Sequence, residues 1–568
     1  MRKGKYRLIA ALVLATELVT LAVPVSAAPA KKYGGTLVTA QMGEPKTLNG
    51  DWCQDGYGGW ENAALFSNLV CMDVGCTVQP DLADSWENSP DYKTFTFHLN
   101  PNAKFSDGRP VTSEDVKYTY ETIVEKGYPG KKYLANLEAI ETPDEHTVII
   151  KLSTPNVAFI PMLALAGNWF MWILPKHVYE GEDWQTGPHA KNPVGSGPFL
   201  LEEWVPGSHI TLVANDNYFR GRPTLDKLVI RFIPDVQVAI QAFNAGELDY
   251  LPFDYAPPYA ELPKYDANPN IRVIRGEWIY GENLSFNQAK APWNNPKVRQ
   301  AIAYAINREE LNKQAFDGTW PITYNAGIPA VPEYLNKDAR YPEYNLEEAK
   351  RLLDEAGLKA GPDGVRIRTT IMDPPYEYDH LLTEALIEQL RQVGIECTWN
   401  KYDWDTWYTK LQNGDWDLTV DYMRYAPDPN NYYDLYHTEG ARNFKHYSNP
   451  ELDALLEQGR QELDVAKRHE IFNKVQEILV KDCADIVLVQ EVQVELVKKN
   501  WHGNVYEKEN MNFPGNSWMG FQAYWSDTPP AGAASNTSKY VIGGVAVVVV
   551  LALVWFFAAR RKKATAAA

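Results

Sequence analysis

Lys104-Phe105-Ser106-Asp107-Gly108-Arg109-Pro110-Val111-Thr112-Ser113-Glu114-Asp115-Val116 is the stretch that decides how this chain is read. Ser106 to Pro110 is turn chemistry. Thr112 can accept from the first free backbone amides of a helix, and Asp115, three residues on, can reach back to Thr112. Val116, Tyr120, Ile123 and Val124 then recur at helical spacing. Just upstream, Thr94-Phe95-Thr96-Phe97-His98-Leu99 alternates, placing Phe95, Phe97 and Leu99 on one strand face and His98 on the other. Strand, turn and capped helix in succession predict a mixed α/β fold.

The same grammar returns downstream. Asn295 caps, Pro296 takes the first helical position, and Val298, Ala301, Ile302, Ala305 and Ile306 form one apolar stripe. Asn345 and Glu348 open another helix, which Gly357 closes. Strands are expected at His209 to Ala214, Lys227 to Ile233, Ile271 to Ile274 and Gly281 to Phe286. About 500 residues between the ends are too many for one core, so at least two lobes are expected.

The ends predict a topology. Arg2, Lys3, Lys5 and Arg7, an apolar run from Leu8, and Val25-Ser26-Ala27 before Ala28 read as a secretory signal over residues 1–27. Val541 to Ala559 is uncharged and, as a helix, roughly 28 Å long, close to a hydrocarbon thickness of ~30 Å. Arg560, Arg561, Lys562 and Lys563 follow it, so a membrane-spanning helix here would hold everything upstream outside the cell. Residues 527–540 read as a tether and 560–568 as a cytoplasmic tail. The formal charge of the chain is −18; without the signal (net +3) and the tail (net +4) the exterior carries −25. Such acidity argues against nucleic acid as a partner. Five cysteines, Cys53, Cys71, Cys76, Cys397 and Cys483, leave at least one unpaired within the chain, and a bridge from Cys53 to Cys71 or Cys76 is expected.

Several segments together resemble the peptide, nickel and oligosaccharide class of ABC-transporter solute-binding proteins. They are Gly34-Gly35-Thr36-Leu37 with Glu44-Pro45-Lys46-Thr47-Leu48-Asn49, Pro80-Asp81-Leu82-Ala83 with Trp86, and the 104–116 stretch. Pro193 to Phe199, Gly246-Glu247-Leu248-Asp249, Phe286-Asn287 and Pro296 to Ile302 continue the pattern. The resemblance runs over roughly residues 33 to 505. It implies an α/β, two-lobed periplasmic-binding-protein-like fold, with an extra subdomain in the first lobe and, from the apolar C-terminus, a transmembrane helix. The expected divisions are a first lobe over 28–285 with an insertion at about 76–190, a second lobe over 286–498, and a return to the first lobe over 499–526. The implied partners are an ABC permease and ATPase, with a small organic ligand held in the interlobe cleft.

The resemblance also places the 402–436 segment against that cleft. Trp404, Trp407, Trp416, Tyr422, Arg424, Tyr425 and Asp428 are the expected ligand-binding residues, since Tyr and Trp offer flat apolar faces with polar handles. Peptide-binding relatives resemble an Asp-Tyr-Pro-Asp-Pro pattern here, whose first aspartate pairs with the peptide amine. This chain has Tyr425-Ala426-Pro427-Asp428-Pro429 instead, and Arg424 would repel a cation. An oligosaccharide is therefore expected ahead of an oligopeptide, with Asp421 or Asp428 as a substitute anchor should the ligand be a peptide.

Other classes are less well supported. Asp403 with Asp405, or Asp415 with Asp417, could be imagined as glycosidase pairs, but such pairs usually come from separate elements. There is no phosphate loop, HExxH helix or G-x-S-x-G elbow, and Gly195-Ser196-Gly197 reads as a turn. No catalytic residue, cofactor or metal ligand is assigned. His437 and His446 are the nearest approach to a metal pair, keeping a metal or metallophore binder as an alternative beside a non-transporting sensor of the same fold.

Overall fold

In the computed structural model, the quoted stretch folds as its chemistry dictates. The Thr112 backbone N–H donates to Asp115 Oδ2 at 2.8 Å, opening a helix over Ser113–Lys126 whose buried face carries Val116, Tyr120 and Ile123. The other Asp115 oxygen accepts from the Lys176 backbone N–H at 2.9 Å, tying the helix start to a distant loop. Phe95, Phe97 and Leu99 are buried and His98 is exposed along the strand Thr94–Leu99. This strand lies second in a four-stranded antiparallel sheet, ordered Ala83–Asn88, Thr94–Leu99, Thr147–Leu152, Leu137–Asp144.

The structure describes residues 34–51, 58–72, 77–166, 170–327, 334–424, 428–503 and 524–526. Thr36–Ser526 form one compact unit. A second four-stranded sheet runs Thr36–Gln41, Lys227–Phe232, His209–Ala214, Phe199–Val205, parallel only at its first pairing. One continuous apolar core, from Leu37 through Phe97 and Trp172 to Ile230, underlies both sheets and defines the first lobe.

The second lobe is built on a six-stranded mixed sheet ordered Tyr250–Leu251, Asp485–Lys498, Ile271–Phe286, Leu418–Arg424, Ile367–Asp373, Ile395–Lys401. Helix Pro296–Ala305 shares its apolar core and packs against helix Leu346–Glu355. Asn295 accepts from the Lys297 N–H, and Val298, Ala301, Ile302, Ala305 and the following Ile306 are buried. The Asn345 side chain caps Leu346–Glu355 in the same way.

The two strands expected at Ile271 to Ile274 and Gly281 to Phe286 are one 16-residue strand. Its pairing with Asp485–Lys498 shifts register between Glu277 and Gly281, so Gly276 to Tyr280 breaks the alternation without ending the strand. Ile271 and Leu496 lie in a small core shared with Ala40, whereas Leu284 and Ile486 lie in the second-lobe core. These two strands therefore carry the chain between lobes.

One expectation is corrected. Among the described residues no helix is long and apolar enough to cross a membrane. The stretch Val541 to Ala559, on which the C-terminal transmembrane helix rested, lies outside the described residues, as does the signal over 1–27. The structure therefore gives no support to the C-terminal transmembrane helix, since apolar length in sequence is only a candidate for a span. Cys53 and Cys76, needed for the expected bridge, also lie outside the described residues.

Candidate functional site

Asp403 accepts from the Thr406 N–H at 3.0 Å and starts the helix Trp404–Asn413, which Gly414 ends with a left-handed φ of 70°. Helical spacing puts Trp404, Trp407, Tyr408 and Leu411 on one side, and the chain then turns back into the strand Leu418–Arg424. Trp407 and Trp416 are each only 3 % exposed and pack with Leu411 and Met372 in a small core of their own. The Trp407 indole donates to Thr419 Oγ1 at 3.3 Å and that of Trp416 to the Leu411 carbonyl at 3.2 Å. Both indoles are thus committed to holding the helix against the strand. Trp404 is less buried; its ring lies parallel to that of Tyr422 at 6.1 Å, and Tyr422 stacks on Tyr280 at 5.2 Å.

A cavity of about 30 Å³ opens at this corner, lined by Trp407, Trp416, Tyr422 and Tyr408 together with Asp421, Arg442, Phe444 and Lys445. That is room for about two water molecules or one small ligand group. Arg442 and Phe444 are presented by a loop that Asn443 closes: its amide donates to the carbonyls of His437 and Tyr447, at 3.0 and 2.7 Å, and accepts from the Tyr447 N–H.

The charges in this wall differ in state. Lys445 is bound to Asp485 at 2.6 Å, with the side chains 3 % and 1 % exposed, and Asp485 also accepts from the Tyr436 hydroxyl. Asp421 accepts from Ser285 Oγ at 3.0 Å. Burial pushes the Asp421 carboxyl up to about 7, against the pull of Lys445 and with a further push from Asp485. Burial opposes the charge of Arg442, while the phenols of Tyr408, Tyr422, Tyr133 and Tyr280 act the other way and hold its pKa above the usual value. Tyr133 belongs to the first-lobe turn Pro129–Leu134, so this corner lies where the lobes meet.

Of the seven residues expected from sequence, Trp407, Trp416 and Tyr422 line the cavity and Trp404 flanks it through Tyr422. Asp428 is held by Arg468, at 2.8 and 2.7 Å. The backbone of Arg424 ends the strand opposite Tyr280; its side chain, and Tyr425 entirely, lie outside the described residues. Arg442, Phe444 and Lys445 were missed. The only signal for them was a pair of basic residues following a run of acids and aromatics.

The acids considered as glycosidase pairs each have other work. Asp403 caps, Asp415 binds Lys410 at 2.6 Å, Asp417 binds Lys290 at 3.2 Å, and Asp405 lies 3.9 Å from Lys46. Among the described residues no group of three His, Cys, Asp or Glu side chains is placed to hold a metal ion.

Residues 77–444 match the sequence profile of "Bacterial extracellular solute-binding proteins, family 5 Middle". The chain belongs to this family. As a family 5 solute-binding protein it is the substrate-binding component of an ABC importer. It is 27 % identical over 482 residues to the oligopeptide-binding protein AppA of Bacillus subtilis, covering 79 % of this chain and 85 % of that protein. Identity to the dipeptide-binding protein of Escherichia coli is 26 % over 503 residues, covering 83 % and 92 %. The crystal structure of B. subtilis AppA with a nonapeptide superposes with a TM-score of 0.77 at 25 % identity, over 87 % of this chain and all of that one. The binding protein AgaA of A. tumefaciens R10, in complex with agropinic acid, gives 0.75 at 29 % identity over 86 % and 98 %. Family 5 binding proteins are extracellular or periplasmic.

Proposed function

We propose that this family 5 protein captures oligopeptides and delivers them to its permease. The observation that carries the reading is the placement of a carboxyl, Asp421, and a guanidinium, Arg442, in the wall of one aromatic-lined cavity. A free peptide brings an ammonium and a carboxylate, each able to form a charge-assisted bond in such a site, whereas a neutral sugar brings neither. The sugar expectation rested on Tyr425 in place of the amine-pairing aspartate, on the charge of Arg424 and on the aromatic stacking surfaces of the segment. Trp407 and Trp416 are buried in their own core, which reduces the stacking surface to partly buried rings such as Trp404, Tyr408, Tyr422 and Phe444. The names of AppA and of the E. coli relative point to peptides as well.

Capture would proceed by closure of the two lobes about the long strands Ile271–Phe286 and Asp485–Lys498, excluding water from the bound peptide. Calorimetry and native mass spectrometry of the full chain with unmodified tri- to nonapeptide mixtures, and in parallel with neutral oligosaccharide mixtures, test the reading. Peptides are expected to be retained. Retention of oligosaccharides and of no peptide would overturn it.

A further inference from the structure

We infer that Arg442 forms a carboxylate-binding subsite in the cavity beside Tyr408, Tyr422 and Phe444. This rests on the peptide reading above and adds which ligand group the corner takes.

The first observation is an unmet charge. The fold supplies a partner to other buried cations of this lobe: Lys445 has Asp485, Arg468 has Asp428, and Arg299 donates to the carbonyls of Trp293, Asp482 and Cys483. No carboxylate among the described residues forms an ion pair with Arg442, although the residue lines the cavity. A partly desolvated guanidinium without an anion is costly, and a carboxylate arriving with the ligand would remove that cost with two parallel N–H···O bonds.

The second observation is what surrounds that charge. Tyr408 and Tyr422 line the cavity with Arg442, and phenols can donate to a carboxylate as well as shield it from water; Tyr133 and Tyr280 act on the same charge from farther off. Asp421, which also lines the cavity, accepts from Ser285 Oγ at 3.0 Å and forms no ion pair with Arg442, leaving the guanidinium for the carboxylate of the ligand. The opening, about 30 Å³, suits one small planar group better than a sugar ring. The Tyr133 phenol, on the first lobe, is close enough to act on the Arg442 charge, so a carboxylate bound there would favour the closed arrangement of the lobes.

A peptide can supply the carboxylate from its C-terminus or from an Asp or Glu side chain. Three random-sequence peptide libraries separate the sources: unmodified; C-terminally amidated; and amidated with Asp and Glu omitted. The full chain is offered each, and the peptides retained are identified and re-titrated singly. Retention from the first library with about ten- to a hundredfold weaker binding of the third is expected, on the usual strength of a charged hydrogen bond. The second library assigns the source: acidic peptides retained from it point to a side chain, and their loss points to the C-terminus. Arg442→Gln should abolish the preference for carboxylate-bearing peptides, and Arg442→Lys should restore it in part, since an ammonium keeps the charge but not the fork. Equal binding of all three libraries by the native protein overturns the subsite and leaves the peptide reading standing. Retention of no peptide from any library overturns both.

Discussion

Asp428 and Arg468 meet as a closed fork, with Nη1 donating to Oδ2 at 2.8 Å and Nη2 to Oδ1 at 2.7 Å, and side chains 10 % and 6 % exposed. Forty residues apart in the chain, they join the loop after the strand Leu418–Arg424 to the helix Val465–Asp482. Arg468 also donates to the Gly459 carbonyl and the Tyr334 hydroxyl. The pair therefore fixes the back of the segment whose front lines the cavity.

Removing one partner leaves the other buried and uncompensated. Asp428→Asn should lower the unfolding free energy by about 3–5 kcal/mol. Denaturant titration measures it. The folded fraction should keep native affinity for peptide, which separates a structural aspartate from one that anchors the ligand.

Two tryptophans of one helix should respond differently. Trp407→Ala removes an indole packed against Trp416 and Met372 and should cost about 3–5 kcal/mol of stability. Trp404→Ala acts on a partly exposed ring facing Tyr422, and should weaken peptide binding by about 1–2 kcal/mol with a smaller loss of stability. Thermal melts and calorimetry on both variants give the comparison.

Stability should rise as pH falls from about 8 to 5. Burial pushes the carboxyls of Asp51 and Glu491 up to about 8 and that of Asp81 up to about 6, against about 4 in the unfolded chain. Between these values the folded protein holds more protons than the unfolded one, so raising the pH through this window destabilises it. Acids held low in the fold, such as Asp107 beside His177, lose their contribution only below about pH 4. A melting temperature higher at pH 5.5 than at pH 8 is expected, and the reverse order would show that these carboxyls are solvated.

Burial pushes the thiols of Cys397 and Cys483 up to about 12. Only the thiolate attacks an alkylating reagent. Both should stay unmodified by iodoacetamide at pH 8 in the native protein and react once it is unfolded in guanidinium, as peptide mapping would show.

The sequence by itself determined the elements whose causes lie within a few residues. Thr112 with Asp115, Asn295 with Pro296, and the alternation of Phe95, Phe97 and Leu99 require only helix and strand periodicity, and the assembled order of such elements determined the family. Which side chains line the candidate site depends on the tertiary fold. Trp407 and Trp416 looked like stacking surfaces because aromatic type is visible in sequence while burial is not; they are buried because the strand Leu418–Arg424 returns beneath their helix. Asp428 looked available until Arg468, forty residues on, took both its oxygens. Arg442 drew no notice because an arginine following acids and aromatics reads as solvated, and its place beside Tyr408, Tyr422 and Phe444 in one cavity is visible only in the fold. Local hydrogen-bond geometry is written in neighbouring residues, whereas desolvation and charge pairing depend on which distant segments fill the space around a side chain.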